Sequence, residues 1–234
     1  MTSSFSTHTR RRKAGRSTLC ALTLLLSCAR AETQGTVSAK SAPAREQPAI
    51  ARMVKQGIMR RVTPARFDPA GLNARGDFAV SVQKLFDLPA PAHAADYLDV
   101  SPDSPFHAAV QAVSPYLGRQ MRCFGCQLTL SLGPNEPVSR LEAVITLTNI
   151  LVAQNKVALA GPQAAEPLLR HLRGVDERGG PLRQYVATAI QGHVLLPTPA
   201  NSLAPDRPFT RADLAALLDR VQRTYHVPQR SYAR

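Results

Sequence analysis

The sequence predicts an all-α fold built from three helix–loop–helix copies, and two observations predict it. A short pattern recurs three times in one register. Phe67-x-Pro69 precedes Arg75-Gly-Asp77, Leu132-x-Pro134 precedes Arg140-Leu-Glu142, and Leu203-x-Pro205 precedes Arg211-Ala-Asp213. In each, an apolar residue stands eight positions before the Arg, Pro six before it and an acid two after it. The arginines are 65 and then 71 residues apart, which makes the chain a tandem array of one unit. The second observation is apolar spacing. After each Arg, apolar residues recur at helical intervals: Phe78, Val82, Leu85 and Phe86; Val144, Leu147, Ile150 and Leu151; Leu214, Leu217, Leu218 and Val221. Repeats of this size bury their apolar faces against neighbouring copies, and they usually make binding surfaces rather than single catalytic centres.

Taken in order, residues 1–31 read as a secretory leader. Arg10-Arg-Arg-Lys13 and Arg16 form a charged head, Leu19–Leu26 an apolar run too short to span a bilayer, and Ala29-Arg-Ala31 a small-residue cleavage site. Leu25-Leu-Ser-Cys28 offers another exit, because it resembles a lipobox in which Cys28 becomes a lipidated N-terminus. Plain cleavage after Ala31 is favoured, since Leu26 is a less usual lipobox residue. The leader holds six of the 29 basic residues and none of the 16 acids, so the rest of the chain carries 23 against 16, a net of +7. That charge favours anionic wall polymers or lipid headgroups and is too small to require nucleic acid. Residues 32–46, polar and Pro-containing, read as a flexible linker.

Copy one (47–95) opens with a helix carrying Ile50, Met53 and Val54 and ending near Gly57-Ile58. Copy two (96–160) is entered by the turn-rich strap Asp99–Pro105, and Ser104-Pro105 starts a helix with Phe106, Val110 and Val113 on one face. In copy three (174–225), Gly180-Pro181 plays the same part for Leu182, Val186, Ala189 and Ile190. The second helices are better marked. Ser139 with Glu142 is a capping box, and Thr210 with Asp213 a shorter version of it. Copy one has Ala74 at that place, with Asn73 beside it as a substitute and Asp77 as the acid, so its helix should start less firmly. These helices should end near Asp87, Gln154 and Thr224, leaving a frayed tail at 226–234. With no Trp and few aromatics, the interior is filled mainly by Leu, Val, Ile and Ala.

These residues resemble the S-layer homology (SLH) repeat. Its pattern is an Asp-Val lead-in, an amphipathic helix ending near Gly-Ile, a Phe-x-Pro loop and a Thr-Arg-Ala-Glu start to a second helix. Asp99-Val100, Phe106, Ala109-Val110, Pro134 and Val138–Glu142 carry it in copy two; Pro205, Phe209–Asp213 and Leu217-Leu218 in copy three; Gly57-Ile58 and Phe67-Asp-Pro69 in copy one. The likeness covers residues 47–225. It implies a pseudo-threefold helical assembly with long ordered loops, whose grooves hold secondary wall polysaccharide, often pyruvylated, or peptidoglycan-linked polymer. The chain departs from the pattern with Ala-Arg-Gly-Asp in copy one, and in copy three with Gly174-Val-Asp176 for the lead-in and His193 near the expected Gly.

Capping accounts for the acid and the hydroxyl of the motif but not for the Arg, whose charge at the first helical position opposes the helix dipole. Either an acidic neighbour in the next copy or an anionic ligand must offset it. A guanidinium fork matches a carboxylate bidentately, and exposed helix N-termini would add unpaired N–H donors to the same anion. Arg140 and Arg211 suit both roles equally; for Arg75, beside the weaker cap, the structural role is favoured. Cys123-Phe-Gly-Cys126 lies in an insertion of copy two, before the extended-looking run Gln127–Leu132. In an exported chain a local disulfide is favoured over redox chemistry, and zinc would need two further ligands. The histidines fall in no metal spacing, no nucleophile elbow or phosphate loop appears, and nothing requires a cofactor.

The sequence therefore points to an exported, non-enzymatic envelope protein, periplasmic or wall-associated, that binds anionic wall glycan through Arg140 and Arg211 with Arg75 as a third contact. Lipidation of Cys28 would add a membrane anchor. Two alternatives stay open: a thiol–disulfide protein using Cys123 and Cys126, and a protein-binding scaffold of degenerate repeats.

Overall fold

The three motif arginines each open a helix, two of them behind a capping box and the third without a side-chain cap. The computed structural model describes residues 46–93, 95, 97–117, 121–124, 127–170, 172–173, 181–196, 209–229 and 232, with only the backbone of 121–129 and 181. The leader, the linker, Cys28, Cys126, the Leu203-x-Pro205 loop and Gly174-Val-Asp176 lie outside the described residues. The described residues form a mostly helical, all-α protein with α1 at Gln47–Lys55, α2 at Arg75–Phe86, α3 at His107–Val113, α4 at Arg140–Ala153, α5 at Pro162–Leu169, α6 at Pro181–Gln191 and α7 at Arg211–Thr224.

At α4, Ser139 Oγ accepts the Glu142 N–H at 3.2 Å and Glu142 accepts the Ser139 N–H at 2.7 Å. At α7, Thr210 and Asp213 repeat this at 3.1 and 3.2 Å. At α2, Ala74 provides no side-chain cap. Asn73 does not replace it: its amide is buried, and neither its nitrogen nor its oxygen has a hydrogen-bond partner. Each of these helices is closed by a residue in left-handed conformation, Asp87 (φ 51°), Asn155 (φ 54°) and His226 (φ 49°), types that tolerate it without glycine.

The helices pair across the copies. The first helix of each copy packs on the second helix of the copy before it: α3 on α2, α6 on α4, and, closing the circuit, α1 on α7. Met53, Ile58, Phe78, Leu147, Ile150, Leu214 and Leu218 are almost fully buried in the apolar cluster shared by these pairs. The α1–α7 contact also carries polar bonds. Arg52 grips Asp219 through Nε and Nη2, Arg223 adds a third bond to the same carboxylate, and the Gln56 and Gln222 amides bond reciprocally.

Three expectations need correction, and one, the extended run after Cys126, is sharpened. Residues 161–173, left between copies two and three, form α5, which starts at Gly161-Pro162 and packs on α6. The Cys insertion is an antiparallel hairpin, β1 (Met121–Phe124) with β2 (Gln127–Leu130), in which Cys123 pairs with Leu128. The helix expected at Ser104-Pro105 starts at His107, because residues 101–107 are spent on two consecutive turns, the Ser104 N–H donating to Ser101 O and the His107 N–H to Ser104 O, each at 2.9 Å. The tail is not loose throughout: Val227 is buried, and the Tyr232 N–H donates to the Gln56 carbonyl at 2.8 Å. Among the described residues no helix is long and apolar enough to cross a membrane.

Candidate binding grooves at the helix starts

The residue just before each motif Arg is extended, and the three residues one further back bond to one another. The Asn73 N–H donates to Phe209 O at 3.3 Å, the Phe209 N–H to Val138 O at 3.2 Å, and the Val138 N–H to Asn73 O at 2.9 Å. This closed triangle brings the starts of α2, α4 and α7 together from positions about a third of the chain apart. The loops then finish the helix starts. The Arg75 N–H donates to Glu136 O (2.9 Å) and the Gly76 N–H to Pro134 O (2.8 Å); the Arg211 N–H donates to Gly71 O (2.9 Å) and the Ala212 N–H to Pro69 O (3.0 Å). The motif Pro thus belongs to a turn whose carbonyls satisfy the first two donors of a neighbouring helix. The first residue of that turn, just before the Pro, is left-handed in both cases, Asp68 at φ 56° and Gly133 at φ 64°. Unpaired N–H donors were expected at these helix starts; in α2 and α7 the neighbouring loop already uses them.

The arginine side chains follow two designs. Arg211 is buried. Its Nε donates to Phe67 O at 2.8 Å, its Nη2 to Arg60 O, and its guanidinium lies 4.7 Å from the Phe67 ring centroid. Burial lowers its pKa, against the opposing pull of Asp77 and Asp68. Arg140 repeats part of this, donating from Nη2 to Leu196 O at 2.7 Å. Arg60 and Leu196 each stand three residues after a left-handed residue, Gly57 (φ 69°) and His193 (φ 55°). His193 therefore takes the backbone place that Gly57 fills in copy one. Arg75 is different: its Nε and Nη2 lie 3.0 and 2.9 Å from Glu142 Oε1, and its Nη1 2.7 Å from Glu136 Oε2.

Two equivalent grooves result. The one at the start of α2 has a volume of about 350 Å³ and is lined by Arg60, Arg61, Asn73, Asp77, Ser81 and Arg211, with Ile58, Met59, Val62 and Val80 as its apolar wall. Arg60 reaches Asp77 at 3.0 Å, and Asn73 lies in the lining with its amide unpartnered. Lys84, one turn beyond Ser81, donates to Gly57 O at 2.9 Å; burial and then Arg60 lower its pKa. The groove at the start of α4 is about 30 Å³, lined by Arg75, Glu142 and Thr146 with Phe78, Tyr97, Leu117, Leu132 and Val138 as its apolar wall. Beside it Asp99 accepts from Ser131 Oγ and from the Leu132 and Gly133 N–H groups. Burial acts to raise its pKa, but these bonds outweigh it and hold the carboxyl below its ordinary value. The Asp-Val lead-in thus has a local purpose, fixing the loop before Pro134.

Sequence reasoning did not single out Arg60, Arg61, Glu136 or Gly71. The Arg60-Arg61 doublet after Gly57-Ile58 was a visible signal; Glu136 was not, since only its place four before Arg140 matters. Cys123 sits on a strand rather than at a helix N-terminus, and among the described residues no group of His, Cys, Asp and Glu could hold a metal ion. No family model matches this chain, and no curated protein matches it.

Proposed function

We propose that this is an exported, non-enzymatic envelope protein of three SLH-like repeats that holds anionic cell-wall glycan non-covalently. The threefold reading is supported by the backbone triangle at Asn73, Val138 and Phe209 and by the cyclic pairing of α1 with α7, α3 with α2 and α6 with α4. The single observation that carries the binding reading is the open groove. Three guanidinium-bearing residues, Arg60, Arg61 and Arg211, surround it, and Asn73 offers a buried amide with a donor and an acceptor still unused. Such a lining favours a ligand with a carboxylate beside hydroxyl or amide groups, the make-up of a pyruvylated or peptide-linked wall polymer. Arg211 shapes the floor while the exposed Arg60 and Arg61 make first contact. Arg140, which donates to Leu196 O much as Arg211 donates to Arg60 O, is the corresponding arginine beside the start of α7.

The test is co-sedimentation with purified sacculi from the protein's host. The exported wild type should pellet with the walls, and an Arg60→Ala/Arg61→Ala variant with unchanged circular dichroism should stay in solution. A folded wild type that does not pellet rejects the reading.

A further inference from the structure

The small groove at α4 is the counterpart of the open groove, and its arginine already holds an anion. Arg75, Val138, Glu142 and Thr146 stand there where Arg211, Asn73, Asp77 and Ser81 stand in the open one. The deciding position is the residue that gives its carbonyl to the arginine N–H. In the open groove it is Gly71, which has no side chain; in the small one it is Glu136. The Glu136 side chain, 48% exposed, places Oε2 2.7 Å from Arg75 Nη1. Glu142 covers Nε and Nη2, so two carboxylates take the edges of one guanidinium that an incoming acid would use. The backbone is fitted to this arrangement. Gly133 is left-handed (φ 64°), and a Cβ there would lie 2.7 Å from the Glu136 carboxyl and 3.1 Å from Arg75 Nη1. Asp68 fills the equivalent left-handed place in copy one, so the turn alone accepts another residue, and the glycine at 133 leaves the room the carboxylate occupies.

We infer that Glu136 is a built-in anion occupying a latent carboxylate-binding edge of Arg75, so that Nη1 is taken in the wild-type protein and becomes available to an incoming carboxylate when Glu136 is removed. The ligand's identity rests on the wall-glycan reading above; the plug does not. Glu136 lies in an exposed turn whose bond to the Arg75 N–H comes from its main-chain carbonyl, and that bond survives truncation of the side chain.

The experiment follows arginine Nε–H signals by NMR in the full, nitrogen-15-labelled chain titrated with the methyl glycoside of a pyruvyl-ketal hexose, a probe with one carboxylate. The Arg75 signal is assigned by its disappearance in Arg75→Lys. In the wild type, the Arg75 signal should hold still while those of Arg60 and Arg61 shift. In Glu136→Ala the Arg75 signal should shift as well, and Glu136→Gln, which keeps the side-chain bulk but not the charge, should show the same shift if truncation disturbs the turn. A shift at Arg75 in the wild type overturns the inference, and so does a still Arg75 in both variants. Still signals at Arg60 and Arg61 together with a moving Arg75 in Glu136→Ala would reject the open groove as the glycan site and leave the plug standing.

Discussion

The starts of α2 and α7 occupy equivalent corners of one backbone triangle, yet almost nothing in their side chains agrees. The start of α7 has a reciprocal hydroxyl–carboxylate cap, an alanine after the arginine, and an arginine drawn inward onto two carbonyls and an aromatic ring. The start of α2 has no side-chain cap, a glycine after the arginine, and an arginine tied outward to two carboxylates. Both still end in the same main-chain bonds to a neighbouring Pro-containing loop. The difference teaches that the loop carbonyls hold these helix starts in place, and that the motif's side chains are then available for other work.

The comparison can be broken hardest at the far end of α7. There Asp219 is 2% exposed and held by Arg52 and Arg223, whereas α2 has the neutral Gln83 at the matching position. Asp219→Ala should cost about 2 kcal/mol in urea unfolding, less than a fully buried pair because Arg52 is partly solvated. Burial pushes the Asp219 pKa up, but its bonds to Arg52 and Arg223 prevail and depress it. A depressed carboxyl stabilises the fold above its unfolded pKa and loses that contribution as pH falls, here below about pH 4. Thermal melting should therefore drop steeply in that range for the wild type and more gently for Asp219→Asn, with Asp99, also depressed, supplying the remainder.

Next in size is the glycine of α2. A Cβ on Gly76 would lie 2.7 Å from the Phe106 ring root, so the ring rests on the bare backbone of the first turn. Gly76→Ala should lose about 1–2 kcal/mol despite the better helix propensity of alanine, and a second change, Phe106→Leu, should recover part of it. Ala212→Gly in α7 should lose both the propensity difference and the packing of a buried methyl group.

The sequence made much of this legible, for reasons particular residues show. Ser139 with Glu142 and Thr210 with Asp213 act within one helical turn, so a local pattern contains all of their partners. Arg75, Arg140 and Arg211 do not: their partners lie 56 to 151 residues away, and nothing local says whether a carbonyl or a carboxylate will be found there. Asn73 looked like a cap because it is polar and adjacent to one; burial in the triangle aimed it elsewhere. Helix α5 escaped notice because Pro167 inside it argues against a helix, although Gly161-Pro162 marked its start. The all-α class came from periodicity that each helix carries by itself.

The smallest effect would sharpen the comparison. Thr210→Ala should cost about 1 kcal/mol by removing a cap, and Ala74→Ser should return about half as much by adding one. A gain from Ala74→Ser that matches the loss from Thr210→Ala would mean the loop bonds leave the two caps equally accessible.

The packing of α1 on α7 makes the described helices a ring with a clasp, and the clasp joins the first and the last of them. A pull transmitted through residue 46, from whatever precedes it, is borne first by the Arg52–Asp219 and Gln56–Gln222 bonds, before any other helix pair feels it. The mechanical strength of the whole body, seen from its N-terminal side, is therefore the strength of one seam.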